Sequence, residues 1–105
     1  MLSITSTKDP ADCVDMTEVR AGVDAVDAEI VKLLGRRFAY MDAAARIKTD
    51  RATVRDEARK TQVLDNAEQG AVTEGIPAGF IRKWWEQLVE ASISHELQVW
   101  DDRRR

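Results

Sequence analysis

Val19, Val23, Val26, Ile30, Leu33, Arg37, Tyr40, Ala44 and Ile47 follow one another in steps of four and three, the spacing of a coiled-coil-like seam. With Thr17 as cap and Glu18 in the first turn, where the helix dipole favours an acid, the pattern predicts one unbroken helix to about Thr49. Roughly 33 residues at 1.5 Å each make a rod of about 50 Å, longer than the other helices of so short a chain can cover. Part of the seam is therefore expected to pack on another subunit.

Thr49 to Thr53 is polar, and Asp56 and Glu57 then place two acids in the first turn of a second, short helix predicted to reach about Gln69. Gly70 and Gly75 bracket the expected connection. Pro77 suits the first turn of a third helix, along which Phe80, Ile81, Trp84, Trp85, Leu88, Ser92, Glu96 and Val99 recur at helical spacing. The expectation is an all-α fold of three helices, long, short and medium, in a single domain over 1–105. Residues 1–15 form an irregular lead, and 101–105, ending in three arginines, a frayed and solvated tail.

Composition narrows the class. The 105 residues are 44% hydrophobic and 33% charged, with only two prolines and five glycines, which suits a folded helical chain and neither a disordered tail nor a membrane protein. No stretch approaches the length of a bilayer span, and the N-terminus lacks the charged start and apolar run of a secretory signal. One cysteine, Cys13, cannot pair within the chain, and with a single histidine, His95, it is too little for a structural metal site. A reducing, cytoplasmic setting without metal follows. A net charge of -3 argues against nucleic acid as a partner.

Polar residues standing on apolar stripes carry the candidate chemistry. Arg37 occupies the seam of the first helix, while Ser92 and Glu96, four apart, share the stripe of the third. A buried charge without a partner costs several kcal/mol, so either an internal Arg37–Glu96 salt bridge or a ligand must compensate them. Lys48 lies three turns beyond Arg37 on nearly the same face, about 16 Å along the axis, close enough for two long cationic side chains to hold a small anion between them. Arg20 stands 17 residues before Arg37, about 25 Å away on the same rod, so it joins such a site only from another chain. An antiparallel homodimer of long helices would make two equivalent sites of this kind. Arg59, near the positive end of the second helix, adds anion affinity from a third direction. Taken one at a time, Lys48 and Arg59 read more simply as solvated surface cations.

The run from Arg20 through Asp24, Asp27, Ile30, Leu34 and Gly35 to Arg36-Arg37, followed by Ala44-Ala-Arg-Ile-Lys48, resembles the first helix of the all-α chorismate mutases. Val54-Arg55-Asp56-Glu57-Ala58-Arg59 is similar to the start of their second helix. Pro10-Ala-Asp12-Cys13 and the segment from Leu34 to Tyr40 resemble the branch that contains isochorismate pyruvate lyase. The resemblance spans about Cys13 to Trp100. It implies an intertwined homodimer acting without a cofactor on a small dianionic substrate, chorismate or isochorismate.

In that reading Arg20 of the partner chain, Arg37 and Arg59 bind the two carboxylates. Lys48 and Glu96 hydrogen-bond the ether oxygen, Asp56 lies near the ring hydroxyl and Ser92 near a carboxylate. Lys48, Glu96 and Arg37 are the residues in the catalytic role. A [3,3] rearrangement of chorismate to prephenate needs no nucleophile, only a compact bound chair and stabilisation of charge growing on the ether oxygen. Asp56 favours the mutase over the lyase; a mutase of the 4-amino analogue and a non-catalytic helical dimer module are the remaining alternatives. Lys60 departs from mutases that place an acid there.

Glu96 stands where many relatives carry glutamine, and only a protonated carboxyl can donate to an ether oxygen. Burial favours that form and the Lys48 ammonium opposes it. Mutase activity is expected to fall as pH rises above mildly acidic values, and Glu96→Gln to flatten the pH–rate profile. A wild-type profile level from acid to neutral pH would contradict this role.

Overall fold

Asp15 opens the first helix. Its carboxylate accepts the Glu18 N–H at 2.9 Å, and the Glu18 carboxylate reaches back to the Val14 N–H at 3.2 Å, a reciprocal arrangement close to a capping box. The cap therefore sits two residues before Thr17, and helix α1 runs Met16–Ile47 over 32 residues. The structure is a computed structural model that describes Ile4 and residues 7–105; the rest of the predicted irregular lead lies outside the described residues. Among these residues it is all-helical, with α2 spanning Glu57–Glu74, α3 spanning Ala78–Arg103, and short 3₁₀ turns at Pro10–Asp12 and Arg51–Thr53.

Asp56 caps α2 by accepting the Arg59 N–H at 3.0 Å. The predicted stop at Gln69 is five residues short: α2 passes through Gly70 and ends at Gly75, whose φ of 73° is the left-handed conformation that glycine adopts without a Cβ penalty. The Ile76 N–H bonds Ala71 O at 2.8 Å and the Gly75 N–H bonds Val72 O at 3.2 Å, the paired closure of a Schellman motif. Ala71 is buried, so the last turn continues past Gly70 to keep that contact. Only Gly75–Pro77 is left to connect α2 to α3.

The chain divides into two units, Met1–Arg37 and Phe38–Arg105. In the first, the Lys8 ammonium pairs with the Glu18 carboxylate, and Lys8, Asp9, Pro10 and Cys13 line a cavity with Val19, Val23 and Val26 of α1. In the second, α2 and α3 pack together around Val54, Leu64, Val89 and Ile93, with Val63, Trp85, Leu97 and Trp100 closing over them. That core is lean. Much of the predicted seam is open instead: Val23, Val26, Leu33, Tyr40 and Ile47 are all exposed, Ile47 by 68%.

The third helix also outlasts its expected end. It continues to Arg103, and Arg104 is bonded to the main chain of α1 rather than frayed into solvent. The physical reason is the set of bare carbonyls at the end of α1, which a guanidinium satisfies well.

Gly70 and Gly75 make opposite predictions. A Cβ at Gly70 would meet no atom within 4 Å, so Gly70→Ala should raise unfolding stability by about 0.5–1 kcal/mol through helix propensity. Gly75→Ala should lower it by about 1 kcal/mol or more because of its left-handed backbone. Urea titration of both variants against the parent tests the pair.

Candidate active site

Ser92, Glu96 and Trp100 recur every fourth residue along α3 and so share one face of it. Ser92 is 3% and Glu96 4% exposed, the two buried polar residues among the described ones. The Ser92 hydroxyl donates to Leu88 O at 2.6 Å, one turn back along its own helix. The Glu96 carboxylate takes its charge partner from the far side of the sequence: Lys48 Nζ donates to Oε2 at 2.8 Å.

Lys48 lies one residue past the end of α1, its N–H still bonded to Ala44 O at 2.9 Å. The α-helix thus delivers the ammonium to α3 from a rigid support. The Lys48 side chain keeps about a third of its surface, whereas that of Glu96 keeps 5%, so the pair is open on the lysine side. An ammonium carries three N–H donors. One meets Glu96 and others remain for a ligand arriving from that side. Removing Lys48 would strand a buried carboxylate, a change that typically costs 3–5 kcal/mol.

Asp56 and Arg59 stand together at the N-terminus of α2. The Asp56 carboxylate is engaged by the Arg59 N–H, and the Arg59 guanidinium bonds Gln62 Oε1 at 2.6 Å along its own helix. Both are exposed, and neither hydrogen-bonds to Lys48 or Glu96. In the first unit Arg20 is exposed and Arg37 half-buried, 17 residues apart on α1. That is about 25 Å along the axis, beyond the joint reach of two arginines around one small ligand.

Lys60 is occupied by structure. Its ammonium bonds Glu86 at 2.6 Å and Glu90 at 3.0 Å, and Arg55 grips Glu90 with two bonds of 2.8 and 3.1 Å, so the start of α2 is clamped to the middle of α3. An acid in place of Lys60 would repel that pair.

Two contacts of this unit had no sequence signal. His95 Nε2 meets Asp42 Oδ1 at 2.6 Å, with Phe38 edge-on to the imidazole at a 5.2 Å ring separation. Trp100 and Arg104 both donate to Lys48 O, at 3.2 and 2.6 Å. The partners lie more than 50 positions apart, where periodicity says nothing. Among the described residues no cluster of three or more His, Cys, Asp or Glu side chains could hold a metal ion, and no helix is long and apolar enough to cross a membrane.

Comparison with known proteins matches this arrangement to one family. The profile of the family described as chorismate mutase type II matches residues 19–97. The isochorismate pyruvate lyase of Pseudomonas aeruginosa is 30% identical over 97 residues, covering 92% of this chain and 96% of that protein.

The clamp at Glu90 sets an acid limit on the fold. Hydrogen bonds from Arg55 first, then from Lys60, hold its carboxyl well below the usual glutamate value of 4.5, at about 2. A depressed carboxyl contributes stability above its unfolded value, and that contribution drains away as pH falls from about 4.5 towards 2. Glu90→Gln should therefore be less stable than the parent at neutral pH and converge with it near pH 2. The Glu90 side chain keeps 42% of its surface and so meets solvent, and added salt should shrink the difference. Chemical denaturation at stepped pH and two salt concentrations reads both effects.

Proposed function

The chain belongs to the chorismate mutase type II family, and from that premise we propose that it is a chorismate mutase, rearranging chorismate to prephenate in a cationic pocket completed by a second copy. The observation that carries the reading is the Lys48–Glu96 pair, a fixed ammonium presented beside a buried carboxyl at 2.8 Å. The rearrangement breaks the C–O ether bond while a C–C bond forms, in one cyclic shift of electrons with no proton transferred. Negative charge builds on the ether oxygen as the bond stretches. A donor already held in place stabilises that charge without reorganising, which is the largest single contribution a protein makes to such a step.

The remaining roles follow from the resemblance. Arg37 and Arg59, with Arg20 of the second copy, bind the two carboxylates and fold the substrate into a chair; Asp56 meets the ring hydroxyl and Ser92 lies near a carboxylate. Rotation of the Arg59 guanidinium away from Gln62, an exposed bond, is what substrate binding requires of it. Support for the homodimer comes from the open seam of α1. Val23, Val26 and Leu33 keep about half of their surface exposed at seam spacing on α1, as expected of a face that pairs with its copy.

A second reading is favoured by the 30% identity to a protein named isochorismate pyruvate lyase. Elimination of pyruvate from isochorismate to give salicylate breaks an equivalent ether bond, and Lys48 would serve it in the same way. Asp56, an acid placed for a ring hydroxyl, is the reason the mutase is preferred.

Purified protein given each substrate separately, with prephenate, salicylate and pyruvate quantified, is expected to form prephenate from chorismate. Salicylate as the dominant product from isochorismate would establish the second reading, and conversion of neither substrate would overturn both. Arg20→Ala and Arg37→Ala should each be nearly inactive alone. Mixed and allowed to exchange subunits, they should recover about a quarter of wild-type activity, since half the dimers become mixed and each holds one intact site of two. Absence of recovery after proven exchange would contradict a shared site.

A further inference from the structure

The far end of α3 grips the same lysine whose ammonium Glu96 holds. The last four carbonyls of a helix have no partner within it and carry the negative end of its dipole, so the end of α1 needs donors. Arg104 supplies two of them, Nη1 to Ala45 O at 3.1 Å and Nη2 to Lys48 O at 2.6 Å. The Trp100 indole N–H adds a third, to Lys48 O at 3.2 Å. The guanidinium itself is fixed from behind: it stacks on the Trp100 ring at 4.1 Å and bonds Trp100 O at 3.3 Å. Three residues past Lys48, Arg51 is tied to Asp101 by two bonds of 2.8 and 3.1 Å.

We propose that Trp100 and Arg104 are positioning residues for Lys48, fixing the peptide that carries it while Glu96 fixes its head. A lysine side chain is a flexible four-carbon stem, so the place of its ammonium depends on where its main chain is held. The main-chain oxygens of Ala45 and Lys48 are held by Arg104 and Trp100, and the Arg51 side chain ties the following turn to Asp101, so the segment is anchored on both sides of Lys48. One stripe of α3, Glu96, Trp100 and Arg104, thus presets both ends of the donor. The inference rests on the assignment of Lys48 as the donor to the ether oxygen.

The consequence falls on the chemical step. Misplacing a catalytic group by an ångström or less lowers the rate of the oriented step far more than it weakens binding. Wild type, Lys48→Ala, Arg104→Ala, Arg104→Lys and Trp100→Phe should be assayed at a temperature where circular dichroism shows each folded. Lys48→Ala is expected to lose roughly 100-fold or more in kcat/KM. Arg104→Ala should lose about tenfold in kcat with KM within about twofold, and Arg104→Lys should restore part of the loss. Trp100→Phe keeps an aromatic face but removes the N–H to Lys48 O together with part of the indole's bulk, while leaving both Arg104 bonds to the main chain available, so it should lower kcat less than Arg104→Ala does. It also carries the test if Arg104→Ala fails to fold, and wild-type kcat would then overturn the proposal.

Wild-type kcat in folded Arg104→Ala, or a loss confined to KM, would overturn the positioning role while leaving the site assignment intact. A wild-type protein that converts neither substrate, or a fully active Lys48→Ala, would instead overturn the assignment of Lys48 and the inference with it. The outcomes are distinct.

Discussion

A carboxylate buried in a helix stripe of a small protein constrains everything around it. Glu96 sits on α3 with 4% of its surface exposed, where an uncompensated charge would cost more than so lean a core readily absorbs. Compensation comes from Lys48, so the end of α1 must arrive at α3 with its last residues in fixed register. The Trp100 and Arg104 contacts follow from that arrival, since a helix end docked on another helix leaves carbonyls that need donors. The pair thereby links where α1 stops to what the end of α3 does. Replacing both members by apolar residues would relieve the constraint and remove the only donor the proposed reaction has beside a buried acid.

The charges around this pair do a different job from the pair itself. Lys60 and Arg55 on Glu90, and Arg82 on Asp65 and Glu68, are partly exposed bonds that tie α2 and its start to α3 and that water and salt screen in part. Their value is in register: each joins positions that the apolar contacts of Leu64, Val89 and Ile93 alone would leave free to slide. Acid removes the Glu90 bonds only as pH falls from about 4.5 towards 2, so this clamp between α2 and α3 outlasts mild acid.

The sequence made the periodic parts of this fold legible and hid the parts that depend on distant contacts. Alternation by three and four predicted α1 closely, and a charged residue on an apolar stripe marked Glu96 without any structure, because burial costs are local and visible in a pattern. The end of α2 was misjudged at Gly70 since glycine weighs against a helix on its own, while the buried Ala71 and the Gly75 cap that outweigh it act through tertiary packing and closure. Arg104 read as a frayed cation for the same reason. Its partners are the carbonyls of Ala45 and Lys48, 59 and 56 residues away, and main-chain acceptors leave no trace in side-chain pattern. Lys60 showed the converse, a departure from family pattern that the sequence left unexplained until Glu86 and Glu90 appeared beside it.

The economy of the site bears on which reaction the protein favours. Both the rearrangement and the pyruvate elimination break an ether C–O bond with charge gathering on oxygen, so both call on the same held ammonium and neither needs a nucleophile or an acid–base relay. In the proposed role, Lys48 and its supports on α3 therefore serve either substrate equally. Discrimination has to come from the groups that meet the ring, where the hydroxyl position is what distinguishes the isomers. Asp56 is the group proposed for that contact, and its carboxylate caps α2 in this structure. In the proposed site a cap that also met the ring could not shift without loosening the helix, so preference for one isomer is expected to be set by side chains around Asp56 and not by movement of Asp56 itself.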